Sequence, residues 1–130
     1  MENLSFEYCA YSMKNPHWVR DENILVLDLY FRESYDKLSK THIEVVKTSE
    51  ILKSLPIHPA GIRTNTFRNS GGVYMKLGNF LHLDPNDSRK GLSSIGKSDR
   101  KVWGEFYNDR TKLRTIAQKI IDISGDKKIS

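Results

Sequence analysis

Residues 67–80 hold the side chains best suited to contacting nucleic-acid bases. Arg68 and Asn69 are followed by Ser70 and a pair of glycines, and Lys76 follows one to two helical turns later. An arginine side chain matches the hydrogen-bonding edge of guanine, and an asparagine side chain matches that of adenine. We therefore predict that Arg68, Asn69 and Lys76 contact the bases of duplex DNA.

The apolar residues of the same segment recur at helical spacing, and they predict a helix over 71–81. Its buried seam is predicted to consist of Val73, Leu77 and Phe80. Met75, Lys76 and Asn79 would then point away from that seam, toward a partner. Tyr74 is ambiguous, because an aromatic residue at helical spacing packs in a core more often than it stacks on a base.

Five further cations suit the sugar-phosphate backbone of DNA. They lie before the predicted helix or in the basic segment from Arg89 to Lys101 after it: Arg63, Arg89, Lys90, Lys97 and Lys101. The net charge of the chain is +5, with a pI near 9.3. A basic chain favours polyanions, because the neutralised phosphates release their counterions.

Residues 91–98 match the Walker A pattern of nucleotide-binding loops. A functional loop of this kind follows a buried strand and opens a helix. Here the preceding residues are polar and typical of a turn, so we predict no nucleotide cofactor. The glycines and lysines of the segment remain suited to the DNA backbone.

Patterns for metal binding and catalysis are absent from the sequence. Cys9 is the only cysteine, and the four histidines do not stand at metal-ligand spacing. No nucleophile elbow and no paired-carboxylate motif occurs. We therefore predict no metal site and no catalytic residues, so that the chain is a binding domain and not an enzyme.

The whole chain of 130 residues reads as one mostly α domain. Residues 1–16 form an extension of uncertain order, 17–124 a helical DNA-binding domain, and 125–130 a tail or linker. Besides the helix over 71–81, apolar periodicity predicts helices over 20–32, 42–55, 99–107 and 109–124. We expect a helix-turn-helix-like or winged-helix-like core and, since neither a membrane span nor a signal peptide is visible, a cytoplasmic location.

Two helix starts are predicted from their caps. Thr41 and Glu44 fit a capping box for the second helix, and Ser98 can cap the fourth. The buried side of the second helix is predicted to consist of Ile43, Val46, Ile51, Leu52 and Leu55.

Several short phrases occur in the order found in one family. They are Trp18 to Glu22, Leu27 to Phe31, Leu55 to Pro59, Phe67 to Asn69, Gly72 to Leu77, Asn79-Phe80, Leu83 to Pro85, Gly91-Leu92, Val102-Trp103 and Asp109-Arg110. From about Trp18 to Ile121 the chain resembles the amino-terminal domain that precedes the HNH nuclease domain of prokaryotic McrA-like restriction endonucleases. Val19 replaces the threonine expected as the first helix cap, and residues 1–16 have no counterpart.

The resemblance implies a module that selects a DNA target for a restriction-type HNH endonuclease, with the nuclease domain outside these 130 residues. It also suggests that the target contains modified cytosine. An extruded base would need an aromatic pocket, for which Trp18, Tyr74 and Trp103 are the candidates if they are exposed. The alternative is a protein-interaction module whose basic face docks an acidic partner.

Overall fold

The computed structural model describes residues 14–87 and 95–129, and these residues form α-helices with short connections. The helices are α1 (Arg20–Arg32), α2 (Ile43–Ser54), α3 (Ser70–Leu83), α4 (Lys97–Phe106) and α5 (Arg110–Ile129), with 3-10 turns at Tyr35–Lys37 and Ala60–Ile62. The predicted mostly α fold class is confirmed. The described ranges contain no strand, so they hold no wing, and the helix-turn-helix-like core stays a prediction.

Helix α1 lies at the centre of the molecule and contacts each of the other four α-helices. Every residue from Glu22 to Tyr30 is buried, including the polar residues Asn23 and Asp28. A helix that is buried on all sides has no solvent face, so its sequence carries polar groups that must find partners inside the fold. The side chain of Glu22 also accepts a hydrogen bond from the Val19 amide at 3.0 Å and so caps the helix without a threonine.

Helix α2 begins one residue later than its predicted capping box. Nδ1 of His42 accepts a hydrogen bond from the Glu44 amide at 3.0 Å, whereas the Thr41 hydroxyl lies beside that of Ser39. The predicted buried face is confirmed at Leu52 and Leu55 and is wrong at Ile43, which is 60% exposed, whereas Val45 is fully buried. Two hydroxyl residues that a polarity pattern assigns to solvent complete the buried face: Thr48 and Ser49.

Helix α3 has the predicted seam and the predicted ends within two residues. Asn69 caps it by accepting a hydrogen bond from the Gly72 amide at 2.8 Å, and Asp84 follows its last turn. The predicted solvent face is wrong for Lys76 and Asn79, which are buried together with the seam, whereas Met75 is exposed as expected. Helix α3 is therefore a core helix and does not present a broad reading face.

Helices α4 and α5 pack against α1 through the apolar stripes that the sequence predicts. Val102 and Phe106 are buried on α4. On α5 the buried residues are Leu113, Ala117 and Ile120. The cap of α4 is Gly96 and not Ser98, while Asp109 accepts a hydrogen bond from the Lys112 amide and starts α5.

Two further predictions concern the end of α5 and the environment of Trp103. Helix α5 continues to Ile129, so the helix end predicted at residue 124 is wrong; a single glycine at position 125 weakens a helix without stopping it. Trp103 stacks on Phe80 and Tyr107 inside an aromatic cluster, which gives it a packing role. No helix in the described part of the chain is long and apolar enough to cross a membrane.

Candidate functional site

Trp18 lies just before α1 and is flanked by two cations that the sequence assigned to DNA. The guanidinium carbon of Arg68 is 4.3 Å from the centroid of the Trp18 ring, and Nζ of Lys76 is 4.9 Å from it. Both distances are within the range of cation-π contacts. Trp18 therefore joins two clusters of buried charge, one on each cation.

The first cluster is built on Glu22 of α1. Nε and an amino nitrogen of Arg68 donate to its two carboxylate oxygens at 2.7 and 2.9 Å, and Nε2 of His58 lies 3.0 Å from one of them. Burial raises the pKa of Glu22, but the hydrogen bonds from Arg68, the Val19 amide and His58 outweigh it, so that the pKa falls below its usual value. The carboxylate is thus ionised, and both of its oxygens accept hydrogen bonds within the fold.

Arg68 is held by its backbone as well as by its side chain. Its φ angle is 44°, in the left-handed region that residues other than glycine rarely adopt. Its carbonyl accepts a hydrogen bond from the Ser49 hydroxyl at 2.7 Å, and its guanidinium donates to the carbonyls of Pro16 and His17. The surrounding contacts therefore fix Arg68 in place and tie the segment before Trp18 to the core.

The second cluster connects α3 with α4. Nζ of Lys76 donates to Asp99 at 2.7 Å, and the side-chain amide of Asn79 donates to the other oxygen of Asp99 at 3.0 Å. All three side chains are at least nine-tenths buried. This cluster fixes the first turn of α4 against α3, so it determines which face of α4 points outward.

A polar cavity of about 340 Å³ opens between the two clusters. Its walls come from the segment before α1, from α3 and from the start of α4. The residues that line it include Trp18, Arg68, Gly72, Lys76, Asn79, Gly96, Ser98 and Asp99. Buried charges gathered around one concave site are typical of functional sites.

The outer face of α4 carries a basic stripe, which we define as Lys97, Arg100 and Lys101. These residues stand at positions i, i+3 and i+4 of the helix, so they project from one side. All three side chains are exposed, and no carboxylate within the described ranges forms an ion pair with them. The acid between them, Asp99, points inward to Lys76, and Glu105, one turn beyond Lys101, pairs with Arg20.

Gly104 continues the same face one turn further along α4. A Cβ atom at this position would meet nothing within 4 Å. No packing contact within the described residues therefore requires glycine here, although glycine costs a helix about 1 kcal/mol relative to alanine. An exposed helix face without a side chain at its centre allows a partner to approach the backbone.

The three predicted base contacts occupy different positions from those expected. Arg68 and Lys76 are buried in ion pairs, and Asn69 uses its side-chain oxygen to cap α3. The prediction that these residues form one exposed reading face is therefore wrong. Arg68 and Lys76 instead line the cavity, where their charges are already compensated.

The predicted backbone contacts divide into three groups. Arg63 donates to the carbonyl oxygens of Lys53, Leu55 and His58, so it holds the chain after α2 together and is not free for phosphate. Lys97 and Lys101 are exposed on α4, as a phosphate contact requires. Arg89 and Lys90, with residues 91–94 of the Walker-like segment, lie outside the described residues.

Sequence reasoning missed the roles of Arg100, Glu22 and Asp99. The spacing of Arg100 between two lysines on an amphipathic helix was a usable signal for the stripe. Glu22 and Asp99 stood at helix starts, where capping explained them well enough. Among the residues that the structure describes, no group of three or more histidine, cysteine or acidic side chains is arranged to hold a metal ion.

Comparisons of the chain with family models, with curated proteins and with solved structures gave no match.

Proposed function

We propose that this chain binds duplex DNA through the outer face of α4. The observation that carries the proposal is the basic stripe of Lys97, Arg100 and Lys101, which is exposed and forms no ion pair with a carboxylate in the part of the chain that the structure describes. Helices with such a face bind DNA because phosphates replace the missing countercharges and release condensed ions. The net charge of +5 supports the same partner.

The geometry of α4 favours a helix that lies in or across a groove. Its opposite face is anchored in the core by Val102 and Phe106, and its first turn is fixed by the Asp99 ion pair. A rigid helix holds its side chains at fixed spacing, and the absence of a side chain at Gly104 permits close contact with a sugar-phosphate strand. The major groove of DNA is wide enough for such a helix.

The three cations of the stripe have different roles in this proposal. Lys97 and Lys101 are compact ammonium groups on flexible stems, which suit phosphates. Arg100 lies between them and carries a planar fork of donors, which suits the O6 and N7 atoms of guanine. Arg100 therefore takes the base-reading role that the sequence suggested for Arg68.

The biological setting of this DNA binding follows from the resemblance to McrA-like enzymes. We propose that the chain is the target-recognition module of a restriction-type HNH endonuclease and that the target includes modified cytosine. The cutting domain would be another part of that enzyme. In this setting α4 supplies affinity, and the cavity beside Trp18 is a second place where a base could be inspected.

The test is a fluorescence-anisotropy titration with one duplex in unmodified, methylated and hydroxymethylated forms. We compare the wild type with a stripe variant, Lys97→Ala, Arg100→Ala and Lys101→Ala together. The control variant removes three exposed lysines elsewhere: Lys53→Ala, Lys112→Ala and Lys119→Ala. Both variants lose the same net charge, so a difference between them reports the position of the charge.

We expect the stripe variant to lose at least ten-fold in affinity for all three duplexes and the control variant to lose about three-fold or less. Equal losses in the two variants would contradict α4 as the DNA-facing helix. A preference for one modified duplex would establish reading of cytosine modification. No binding of any duplex at low salt would contradict the proposal and would favour an acidic protein as the partner of the basic face.

A further inference from the structure

One residue that lines the cavity beside Trp18, Asn79, has a side-chain acceptor without a hydrogen-bond partner among the described residues. Asn79 lines the cavity and is 9% exposed, and its side-chain amide nitrogen donates to Asp99. Its Oδ1 is buried and accepts no hydrogen bond from the described residues. A buried acceptor without a donor is costly, so a ligand that supplies a donor at this place gains affinity.

The charges around the cavity argue for a neutral ligand. Arg68 is compensated by Glu22, and Lys76 is compensated by Asp99. A phosphate would add a negative charge, and both Arg68 and Lys76 are already neutralised by their carboxylate partners. A polar neutral group instead fits without disturbing either ion pair. Lys76 Nζ carries three hydrogens, of which one is directed to Asp99, so it can also donate to a ligand acceptor.

The residues that line the cavity therefore favour a flat, neutral ligand with a hydrogen-bond donor next to a hydrogen-bond acceptor. Oδ1 of Asn79 would accept from the ligand, Lys76 would donate to it, and Trp18 adds an aromatic surface. Cytosine and adenine bases carry such an edge, with an amino group beside a ring nitrogen. A volume of about 340 Å³ lies at the lower end of the usual range of ligand pockets, about 300–1,000 Å³, and accommodates one base.

The position of the cavity selects DNA as the source of that base. Gly96 and Ser98 both line the cavity and flank Lys97, the first cation of the basic stripe. A duplex that lies on the stripe would therefore pass the mouth of the cavity. Bases that leave the helical stack are bound in pockets of this kind, between aromatic or apolar side chains and hydrogen-bonding groups.

We propose that the cavity beside Trp18 receives one unpaired base of the DNA bound on α4. This inference rests on the proposed DNA binding. It adds a specific chemical requirement: the base must donate to Asn79 Oδ1 and accept from Lys76.

The test compares a fully paired duplex with the same duplex carrying one central cytosine mismatch. A protein that binds an extruded base prefers the mismatch, because less free energy is needed to unpair it. The blocking variant is Ser98→Phe, which places a ring at the cavity from the exposed second residue of α4. The matched control is Thr111→Phe, at the exposed second residue of α5.

We expect the wild type and Thr111→Phe to bind the mismatched duplex at least ten-fold more tightly than the paired one. Ser98→Phe should bind the paired duplex within about three-fold of the wild type and lose the preference. Equal binding of both duplexes by the wild type, or a preference that survives in Ser98→Phe, would overturn the cavity proposal alone. Failure of the wild type to bind either duplex would overturn the DNA-binding proposal together with it.

Discussion

Arg68 shows how a residue suited to DNA recognition can serve the fold. The residue is 3% exposed, and its guanidinium is shared among the Glu22 carboxylate, two backbone carbonyls and the face of Trp18. Glu22 has a fully buried side chain, and Arg68 pairs with both of its carboxylate oxygens, beside the ring of His58. Arg68 therefore contributes to folding and to the shape of the cavity before any partner arrives.

Arg68→Ala should lower the free energy of unfolding by about 3–5 kcal/mol, because it leaves a buried carboxylate without its partner. Arg100→Ala, at an exposed site, should change that free energy by less than about 0.5 kcal/mol and still weaken DNA binding. Urea unfolding of the two variants measures the difference. An Arg68→Ala protein as stable as the wild type would show that the Glu22 pair is not a structural element.

Glu22 and Asp28 predict opposite pH effects on stability. The pKa of Glu22 is lowered in the folded state, so its contribution is present above the unfolded value of 4.5 and is lost as the pH falls through the folded pKa. Burial raises the pKa of Asp28, and this outweighs the hydrogen bond from Arg32 and the charges of Arg114 and Arg32. Protonation of Asp28 therefore stabilises the fold as the pH falls from neutral toward 3.8.

The measurement is the melting temperature of the wild type, Glu22→Gln and Asp28→Asn between pH 7 and pH 3.5. The stability advantage of the wild type over Glu22→Gln should shrink below about pH 4.5. The stability of the wild type relative to Asp28→Asn should instead increase over the same interval. Parallel curves for all three proteins would contradict both shifts.

Helix α4 has a well-anchored inner face, whereas its outer face carries a residue that lowers the stability of the helix. Gly104 is the clearest case, since its site has room for a methyl group. The same is true of Gly125 on α5, at the far end of the molecule's longest helix. The two glycines therefore allow helix propensity and partner contact to be separated.

Gly104→Ala should raise the free energy of unfolding by about 0.5–1 kcal/mol, because alanine favours the helix and meets no neighbour. The same variant should bind duplex DNA several-fold more weakly if a strand approaches the α4 backbone. Gly125→Ala is the control and should not change DNA affinity. Stability is measured by urea unfolding and affinity by anisotropy. Unchanged affinity in Gly104→Ala would contradict close approach of a DNA strand to the α4 backbone at this site.

The helices could be predicted from the sequence because their periodicity is local, as the seam of Val73, Leu77 and Phe80 shows. Which face of each helix is exposed and which is buried was harder to predict from the sequence. The N-cap of α2 is a histidine nitrogen, which a search for hydroxyl caps passes over. Lys76 and Arg68 appear exposed in any local pattern, since their acidic partners are 23 and 46 residues away along the chain.

The described charges are distributed unevenly over the molecule. Several acids are buried or paired within the fold, including Glu22, Asp28 and Asp99, and Glu105 is paired with Arg20. The cations of the α4 stripe have no such partners. Part of the net charge of +5 is therefore concentrated around α4. The resulting local field attracts a polyanion over about one Debye length, roughly 8–10 Å.

This distribution predicts how salt affects DNA binding. Each phosphate neutralised on a duplex contributes about −0.9 to the slope of log K against log salt concentration. The stripe variant, Lys97→Ala, Arg100→Ala and Lys101→Ala, should therefore have a slope shallower than that of the wild type by about 2–3. The control variant, Lys53→Ala, Lys112→Ala and Lys119→Ala, has the same net charge and should keep the wild-type slope to within about 1. Anisotropy titrations at four salt concentrations measure the slopes. Equal flattening in the two variants would mean that the whole charge of the molecule attracts DNA and that α4 has no special place in the interface.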